Sequence, residues 1–270
     1  MTDRYAVIGQ PVAHSKSPAI HAAFAAACAQ TLSYEAIEVP ADTLAARLQQ
    51  LHADGYLGLN VTLPHKAAAA TLCETISERA QLAGAVNTLS RSDAGWRGDN
   101  TDGEGLMRDL ARLGFAVEAQ RVLLLGAGGA VRGILAPLLL ARPASLTVSN
   151  RSPWKPEALA EQFKAIGAVA PRTHLALKGD QFDLIINATS AGHGGAMPRM
   201  PAGLLADGGA CYDLSYGTAH APFRAWAQSQ GATRIADGLG MLVEQAAAAF
   251  AIWRGVRPAT ARVLDALRKG

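Results

Sequence analysis

Short runs of apolar and β-branched residues alternate along the chain with longer segments in which apolar residues recur every three or four positions. The short runs predict β-strands, and the longer segments predict amphipathic helices. Regular alternation of strands and helices is typical of βα units with parallel sheets, so the pattern predicts an α/β fold. The predicted strands are Tyr5–Ile8, Tyr34–Val39, Tyr56–Thr62, Val122–Leu125, Leu146–Ser149, Asp183–Ala188 and Ala210–Leu214.

Two helix starts carry capping signals. Ser17 and Pro18 predict a helix whose first N–H groups are capped by the serine hydroxyl, with proline at the first helical position. Asp42 predicts the cap of a second helix, whose apolar stripe begins at Leu44 and stops near Gly55.

The pattern changes near residues 100–104, where we expect a boundary between two α/β halves. A hairpin is predicted before it, through residues 93–95, and a new helical stripe and strand follow it. Strand–helix alternation ends near Ala236. Two helical segments, 239–253 and 259–267, then follow without a further clear strand, which allows the chain to return to the first half.

Composition narrows the class of protein. Half of the 270 residues are apolar, 17% are charged and the mean hydropathy is +0.11, unlike a disordered chain. The net charge of +3 is too small and too evenly spread for a nucleic-acid surface. Cys28, Cys73 and Cys211 form no C-x-x-C pair, and no export signal is visible, so we expect a cytoplasmic protein. The longest charge-free stretch, residues 17–34, predicts a packed helix, so we expect no membrane partner.

A glycine-rich turn follows the predicted strand Val122–Leu125. Residues 126–130 read Gly-Ala-Gly-Gly-Ala and lead into a helical pattern, which is the strand–turn–helix context of a dinucleotide-binding site. Glycines let the backbone approach a pyrophosphate, and the helix N-terminus attracts the anion. Val131 stands where the fingerprint has a third small residue, so a plain βα turn is the alternative.

The next predicted strand ends in Asn150, Arg151 and Ser152, where an NAD site usually has an acidic residue for the ribose 2′-hydroxyl. Arg151 and Lys155 can instead pair with a 2′-phosphate, because a guanidinium suits phosphate oxygens. The sequence therefore favours NADP. Two solvated basic residues at a helix start are the alternative.

Polar side chains in the first half follow predicted strands. Ser15 and Ser17 are candidates for binding a substrate carboxylate, although Ser17 alone is explained by capping. Lys66 begins a helix, where a cation opposes the macrodipole by about a few tenths of a kcal/mol. This unfavourable placement indicates a function, with a solvated lysine as the alternative. Asn87 and the segment 99–102 supply amides and carboxylates, which turn chemistry also explains in part.

These segments occur together, in an order that resembles one enzyme family over nearly the whole chain. They are S-K-S-P (15–18), N-V-T-L-P-H-K (60–66), A-G-A-V-N-T (83–88), G-D-N-T-D-G (98–103), G-A-G-G-A (126–130), N-R-S (150–152), I-N-A-T-S (186–190) and A-D-G-L-G-M-L-V-E-Q-A (236–246). The set resembles the biosynthetic, NADP-dependent shikimate dehydrogenases. The resemblance implies reversible reduction of 3-dehydroshikimate to shikimate by NADPH, in aromatic amino-acid biosynthesis.

The resemblance also implies an architecture and a set of site residues. Residues 1–102, completed by 238–270, would form an α/β substrate domain, and 103–237 a Rossmann-like NADP domain, in a monomer or a homodimer. Lys66 and Asp102 would be catalytic. The implied substrate-binding residues are Ser15, Ser17, Thr62, Asn87, Asp102, Tyr216 and Gln245. The implied cofactor-binding residues are Gly126, Ala127, Gly128, Gly129, Ala130, Asn150, Arg151, Lys155, Leu214 and Gly238.

Three residues depart from the family pattern. His65, Lys155 and Leu214 stand where phenylalanine, arginine and methionine are common, and Lys155 could loosen the preference for NADP. Two other functions stay open on the same fold, a mixed quinate/shikimate dehydrogenase and a non-catalytic NADPH-binding regulator. Retention of Lys66 and Asp102 argues against the regulator. The histidines lack metal-ligand spacing, so we expect no metal.

Overall fold

The structure is a computed structural model that describes residues 2–269, except for the side chain of His193. Contacts between residues divide the chain into two units, Met1–Gly105 with Leu242–Gly270, and Leu106–Met241. These bounds differ slightly from those of the sequence analysis. Residues 103–105 belong to the first unit instead of the second, and residues 238–241 belong to the second unit instead of the first. Each unit contains a six-stranded sheet and helices, so the predicted α/β class is confirmed.

The chain alternates strands and helices from end to end. The elements are β1 (Asp3–Gly9), α1 (Ser17–Ala27), β2 (Leu32–Glu38), α2 (Leu44–Ala53), β3 (Tyr56–Val61), α3 (Lys66–Ala70), β4 (Thr75–Ile76), α4 (Glu78–Ala83), β5 (Thr88–Arg91), β6 (Trp96–Asp99), α5 (Asp102–Leu113), β7 (Arg121–Leu125), α6 (Gly129–Leu140), β8 (Ser145–Asn150), α7 (Trp154–Phe163), β9 (Ala170–Thr173), β10 (Phe182–Asn187), β11 (Leu205–Asp213), α8 (Ala221–Ser229), β12 (Arg234–Ala236), α9 (Leu239–Arg254) and α10 (Ala261–Lys269). Within the described residues, none of the helices has the length and apolar character needed to cross a membrane.

The sheet of the first unit is mixed. Its strand order is β2-β1-β3-β5-β6-β4, and β1 pairs in parallel with both β2 and β3. β5 runs antiparallel to β3 and to β6, so the hairpin predicted through residues 93–95 is confirmed. The expectation of a parallel sheet is wrong for this part of the unit, because a tight turn joins only antiparallel strands.

The sheet of the second unit is parallel throughout, in the order β12-β11-β10-β7-β8-β9. This is the strand order of a doubly wound dinucleotide-binding fold. Its central strand β7 is buried on both faces, with Leu124 in the same core as Tyr212 and Leu123 in the same core as Phe223. The sequence analysis does not name the edge strand β9, which contains Pro171, a residue that an edge strand tolerates.

The two predicted helix caps are wrong. Lys16 is the N-cap of α1 and makes no side-chain cap hydrogen bond, whereas Ser17 is already the first helical residue. The hydroxyl that binds this turn belongs to Ser15, whose Oγ accepts a hydrogen bond from the Ser17 N–H at 3.2 Å. Asp42 lies within a 3₁₀ turn that leads into α2, so Thr43 takes the N-cap position.

A buried aromatic cluster joins α1, β2 and α9 in the first unit. The His21 ring stacks on Tyr34 with centroids 4.2 Å apart, and the Trp253 ring lies at 5.5 Å. His21 is only 1% exposed, and neither ring nitrogen has a hydrogen-bond partner among the described residues. Burial lowers the pKa of His21 to about 3, although the neighbouring Asn60 opposes part of the shift. The ring is therefore neutral at physiological pH.

We expect His21 to make the protein less stable as the pH falls. The unfolded chain takes up a proton on this residue near pH 6.5, whereas the folded chain does so only near pH 3. The free energy of unfolding should therefore fall by about 2 kcal/mol from this group between pH 7.5 and pH 5. Urea unfolding of the wild type and His21→Phe at pH 7.5 and pH 5 measures this, and equal pH dependence in the two proteins would contradict it.

Candidate active site

Lys66 is the first residue of α3, and Asp102 is the first residue of α5. The Lys66 Nζ atom lies 2.5 Å from Asp102 Oδ2, and the two side chains are 17% and 6% exposed. The carboxylate supplies the countercharge for a cation that is badly placed at a helix N-terminus. The structure thus brings together the two residues that the sequence analysis names as catalytic.

The Asn87 side chain connects this ion pair to α9. Its Nδ2 atom lies 2.8 Å from Asp102 Oδ1, 2.9 Å from Thr101 Oγ1 and 3.1 Å from Gln245 Oε1. An amide nitrogen has only two hydrogens, so these three acceptors share its two N–H groups. Its Oδ1 atom accepts from the Thr101 N–H and from the Thr88 hydroxyl, both at 2.8 Å. Asn87, Asp102 and Gln245 therefore form one hydrogen-bonded cluster.

Asn100 fixes the backbone at the start of α5. Its Oδ1 atom accepts a hydrogen bond from the Asp102 N–H at 3.1 Å, and its Nδ2 atom donates to the Ala85 carbonyl at 3.0 Å. Asn100 is 3% exposed, so both bonds replace hydrogen bonds to water. This asparagine does more than form a turn, since it fixes the backbone that carries the Asp102 carboxylate.

Asn60 belongs to the same region, although the sequence analysis does not name it as a site residue. Its Nδ2 atom donates to the Asn87 carbonyl at 3.1 Å, and its Oδ1 atom accepts from the Tyr34 hydroxyl at 2.7 Å. Burial raises the pKa of Tyr34 well above its ordinary value, and the Ser17 hydroxyl opposes part of the shift. A polar residue within the buried strand β3 was the available sequence signal.

Strand directions explain why these side chains meet. β1, β3 and β6 end at one edge of the sheet, and the antiparallel strand β5 begins there, as the Asn60–Thr88 and Thr88–Asp99 pairs show. Thr62 leaves β3 at this edge, and its N–H donates to the Ile8 carbonyl at 2.9 Å. Ser15 follows β1 at the same edge. Open α/β sheets bind ligands at such edges.

The glycine-rich turn of the second unit fits a dinucleotide phosphate. Gly126 has φ +107°, and a Cβ there would lie 2.9 Å from the Ala188 carbonyl oxygen, so a side chain is excluded. Gly128 is the N-cap of α6 and has open space around its α-carbon, as has Gly129. Free N–H groups at this helix start can bind an anion. Val131 is fully buried in the core, which explains the departure from the fingerprint.

The end of β8 carries two exposed cations, Arg151 and Lys155, with no acidic residue from Asn150 to Lys155. The Asn150 Nδ2 atom donates to the Ser152 carbonyl at 3.3 Å. Behind this loop, His174 Nδ1 lies 2.9 Å from Ser149 Oγ. Burial lowers the pKa of His174, and the positive charge of Arg151 lowers it further. The donor set suits a phosphate better than a ribose hydroxyl.

The remaining predicted residues lie beyond β11, in the second unit. Gly238 packs so closely on Leu214 that a Cβ would overlap the Leu214 carbonyl oxygen. Tyr216 is half-buried, and burial raises the pKa of its hydroxyl. The buried carboxylate of Asp213 accepts hydrogen bonds from Asn187 Nδ2 at 2.9 Å and from the Ser215 N–H at 3.0 Å. Asp213, which sequence reasoning missed, therefore fixes the segment that carries Leu214 and Tyr216.

The predicted residues divide between the two units. Those of the first unit are Ser15, Ser17, Thr62, Lys66, Asn87, Asp102 and Gln245, of which the hydrogen bonds above join Lys66, Asn87, Asp102 and Gln245. Those of the second unit are residues 126–130, 150, 151, 155, 214, 216 and 238. Among the described residues, no three His, Cys, Asp or Glu side chains come together in a way that could hold a metal ion.

Comparison with known proteins gives three family matches along the chain. Residues 7–89 match the shikimate dehydrogenase substrate binding domain, and residues 109–195 match the shikimate / quinate 5-dehydrogenase family. Residues 238–268 match the shikimate 5′-dehydrogenase C-terminal domain.

Individual proteins agree with these matches. A shikimate dehydrogenase (NADP(+)) of Aromatoleum aromaticum is 52% identical, covering 99% of this chain and 97% of the relative. An Ael1 enzyme from Pseudomonas putida has a TM-score of 0.91 at 47% identity, over 98% of each chain. Shikimate 5-dehydrogenase from Thermus thermophilus, in complex with NADP(H) and shikimate, has a TM-score of 0.85 at 34% identity, over 99% of each chain. On the full-length identity, the chain belongs to the shikimate dehydrogenase family.

Proposed function

We propose that this chain is an NADP-dependent shikimate dehydrogenase, which reversibly reduces 3-dehydroshikimate to shikimate in cytoplasmic aromatic amino-acid biosynthesis. One observation carries the proposal, namely the Lys66–Asp102 ion pair bound to Asn87 at a ligand-binding sheet edge. The same chain is about half identical to NADP-dependent shikimate dehydrogenases over its full length.

The first unit binds the substrate in this proposal. The Ser15 and Ser17 hydroxyls, beside the start of α1, bind the carboxylate of the ring. The hydroxyl and carbonyl side of the ring is bound by Thr62, Asn87, Asp102 and Gln245. The family resemblance also implies a substrate contact for Tyr216.

The second unit binds NADP. Residues 126–130 hold the pyrophosphate, because their glycines let the backbone N–H groups approach it. Asn150, Arg151 and Lys155 bind the adenosine phosphate, while Leu214 and Gly238 lie beside the nicotinamide. When bound, NADPH supplies the hydride that reduces the ring carbonyl.

Lys66 provides the proton in reduction. Its ammonium donates a proton to the carbonyl oxygen, and before the transfer its positive charge stabilises the charge that develops there. Asp102 accepts from Lys66 through Oδ2 and from Asn87 through Oδ1, so it fixes the direction of the ammonium. In oxidation the neutral lysine takes the proton from the hydroxyl, and Lys66 must first lose its own.

We expect kcat/KM to be higher for shikimate than for quinate, because the proposed site assigns Ser15 and Ser17 to the carboxylate and assigns no residue to the extra hydroxyl of quinate. An absorbance assay of reduced nicotinamide, with each acid and with NADP or NAD, measures this. Equal values for the two acids would indicate the mixed quinate/shikimate enzyme. NADP binding without turnover of either acid would indicate the regulator.

Replacing Lys66 by alanine should lower kcat by about two to four orders of magnitude, the usual contribution of a positioned acid–base group. Shikimate binding should change little, because the carboxylate is held elsewhere. Steady-state kinetics and a shikimate binding titration test this. Lys178→Ala, which removes an exposed lysine from the second unit, is the control. An unchanged kcat in Lys66→Ala would contradict the proton-transfer role and leave Lys66 as a structural partner of Asp102.

Replacing Arg151 by alanine should weaken the binding of NADP by about one to two orders of magnitude, since a charged hydrogen bond contributes about 1.5–3 kcal/mol. NAD lacks the 2′-phosphate and should bind as before. Lys155→Ala should have a smaller effect, because an ammonium is a single flexible charge.

The measurement for Arg151 is KM for both cofactors. Arg142→Ala is the matched control, because Arg142 is a surface arginine paired with Glu118 before β8 begins. An equal rise in KM for NAD and NADP in Arg151→Ala would mean that the arginine stabilises the fold or contacts the adenine.

A further inference from the structure

Trp154 stands in the loop that follows β8, between the two cations that the proposed function assigns to the 2′-phosphate. It is the first residue of α7 and is 63% exposed. The Nζ atom of Lys155 lies 5.3 Å from the centroid of the indole ring. This distance is within the range in which an ammonium is attracted to the face of an aromatic ring. The exposed indole therefore has a specific contact, made with a candidate cofactor residue.

Lysine is poorly suited to this position on its own. Its ammonium is a compact charge on a flexible stem, whereas arginine has a rigid fork that matches phosphate. A free lysine must lose rotamer freedom when it binds a phosphate, which weakens the binding. A neighbour that restrains Lys155 before the cofactor arrives reduces that loss.

An aromatic face restrains the ammonium without cancelling its charge. A carboxylate would also hold Lys155, but it would neutralise the charge that a phosphate needs. In the part of the chain that the structure describes, Lys155 has no salt bridge to an acidic side chain. Arg151, the other cation assigned to the phosphate, directly follows the last residue of β8.

We propose that Trp154 is a positioning residue for cofactor specificity, whose indole face holds the Lys155 ammonium ready for the 2′-phosphate of NADP. The lysine and the indole together replace the arginine fork that is common in the family. This inference rests on the proposed function, because it takes Arg151 and Lys155 as the phosphate site.

The test is calorimetric titration of NADP⁺ and of NAD⁺ into the full chain, which measures binding without turnover. Trp154→Ala should weaken the binding of NADP⁺ by about two- to fivefold, the range for an exposed cation–π contact. The affinity for NAD⁺ should not change. Trp154→Phe should keep part of the preference, because a smaller ring still attracts the ammonium. In a Lys155→Ala background, adding Trp154→Ala should not change the ratio of the NADP⁺ affinity to the NAD⁺ affinity any further.

Leu140→Ala is the control, because Leu140 is 67% exposed and lies at the end of α6. The ratio of the NADP⁺ affinity to the NAD⁺ affinity in this variant should equal that of the wild type. Thermal unfolding should show that each variant is folded. Equal weakening of both cofactors in Trp154→Ala would overturn the inference and indicate stacking on the adenine instead. An unchanged ratio in Trp154→Ala, with a reduced ratio in Lys155→Ala, would overturn this inference alone. Unchanged ratios in both Arg151→Ala and Lys155→Ala would instead overturn the proposed phosphate site.

Discussion

The polar cluster of the first unit is built around a buried ion pair, the Lys66 ammonium and the Asp102 carboxylate. Its hydrogen bonds must compensate for the water that these two charged groups have lost. Burying an ion costs several kcal/mol unless its partners are well placed and its remaining hydrogen-bonding atoms are satisfied. One carboxylate oxygen binds the ammonium, the other binds Asn87, and Asn100 accepts from the backbone N–H of Asp102. Residues that look like ordinary turn formers are therefore required to keep one charge in place.

The C-terminal part of the chain also supports the polar cluster around Asp102. Gln245 reaches Asn87 only if α9 stays on the first unit, and Trp253 helps to hold it there by donating to the Leu89 carbonyl at 3.0 Å. Arg257 binds Glu104, near the start of α5, at 2.6 Å, and Glu244, next to Gln245, at 2.9 Å. One arginine thus ties together the two helices that carry Asp102 and Gln245.

Much of the fold could be predicted because its signals are local. The fully buried strand Val122–Leu125 reads as an unbroken apolar run, and the conformation of Gly126 leaves room only for glycine. The roles of Asn60 and Asp213 could not be predicted in the same way. Their partners come from strands and turns distant in sequence, and no local pattern specifies which buried polar groups will meet. The antiparallel pairing of β5 with β3 is missed for the same reason, whereas the local β5–β6 hairpin is predicted.

Two lysines illustrate opposite uses of a neighbouring group. Lys66 is mostly buried and is held by a carboxylate, which offsets the cost of burying its charge. Lys155 is exposed and contacts an aromatic ring, which attracts the ammonium but adds no negative charge. A carboxylate beside Lys155 would repel the phosphate that we propose for this loop, and an aromatic ring beside Lys66 would leave its buried charge uncompensated. The chemistry required at each position therefore decides which kind of neighbour a lysine can have.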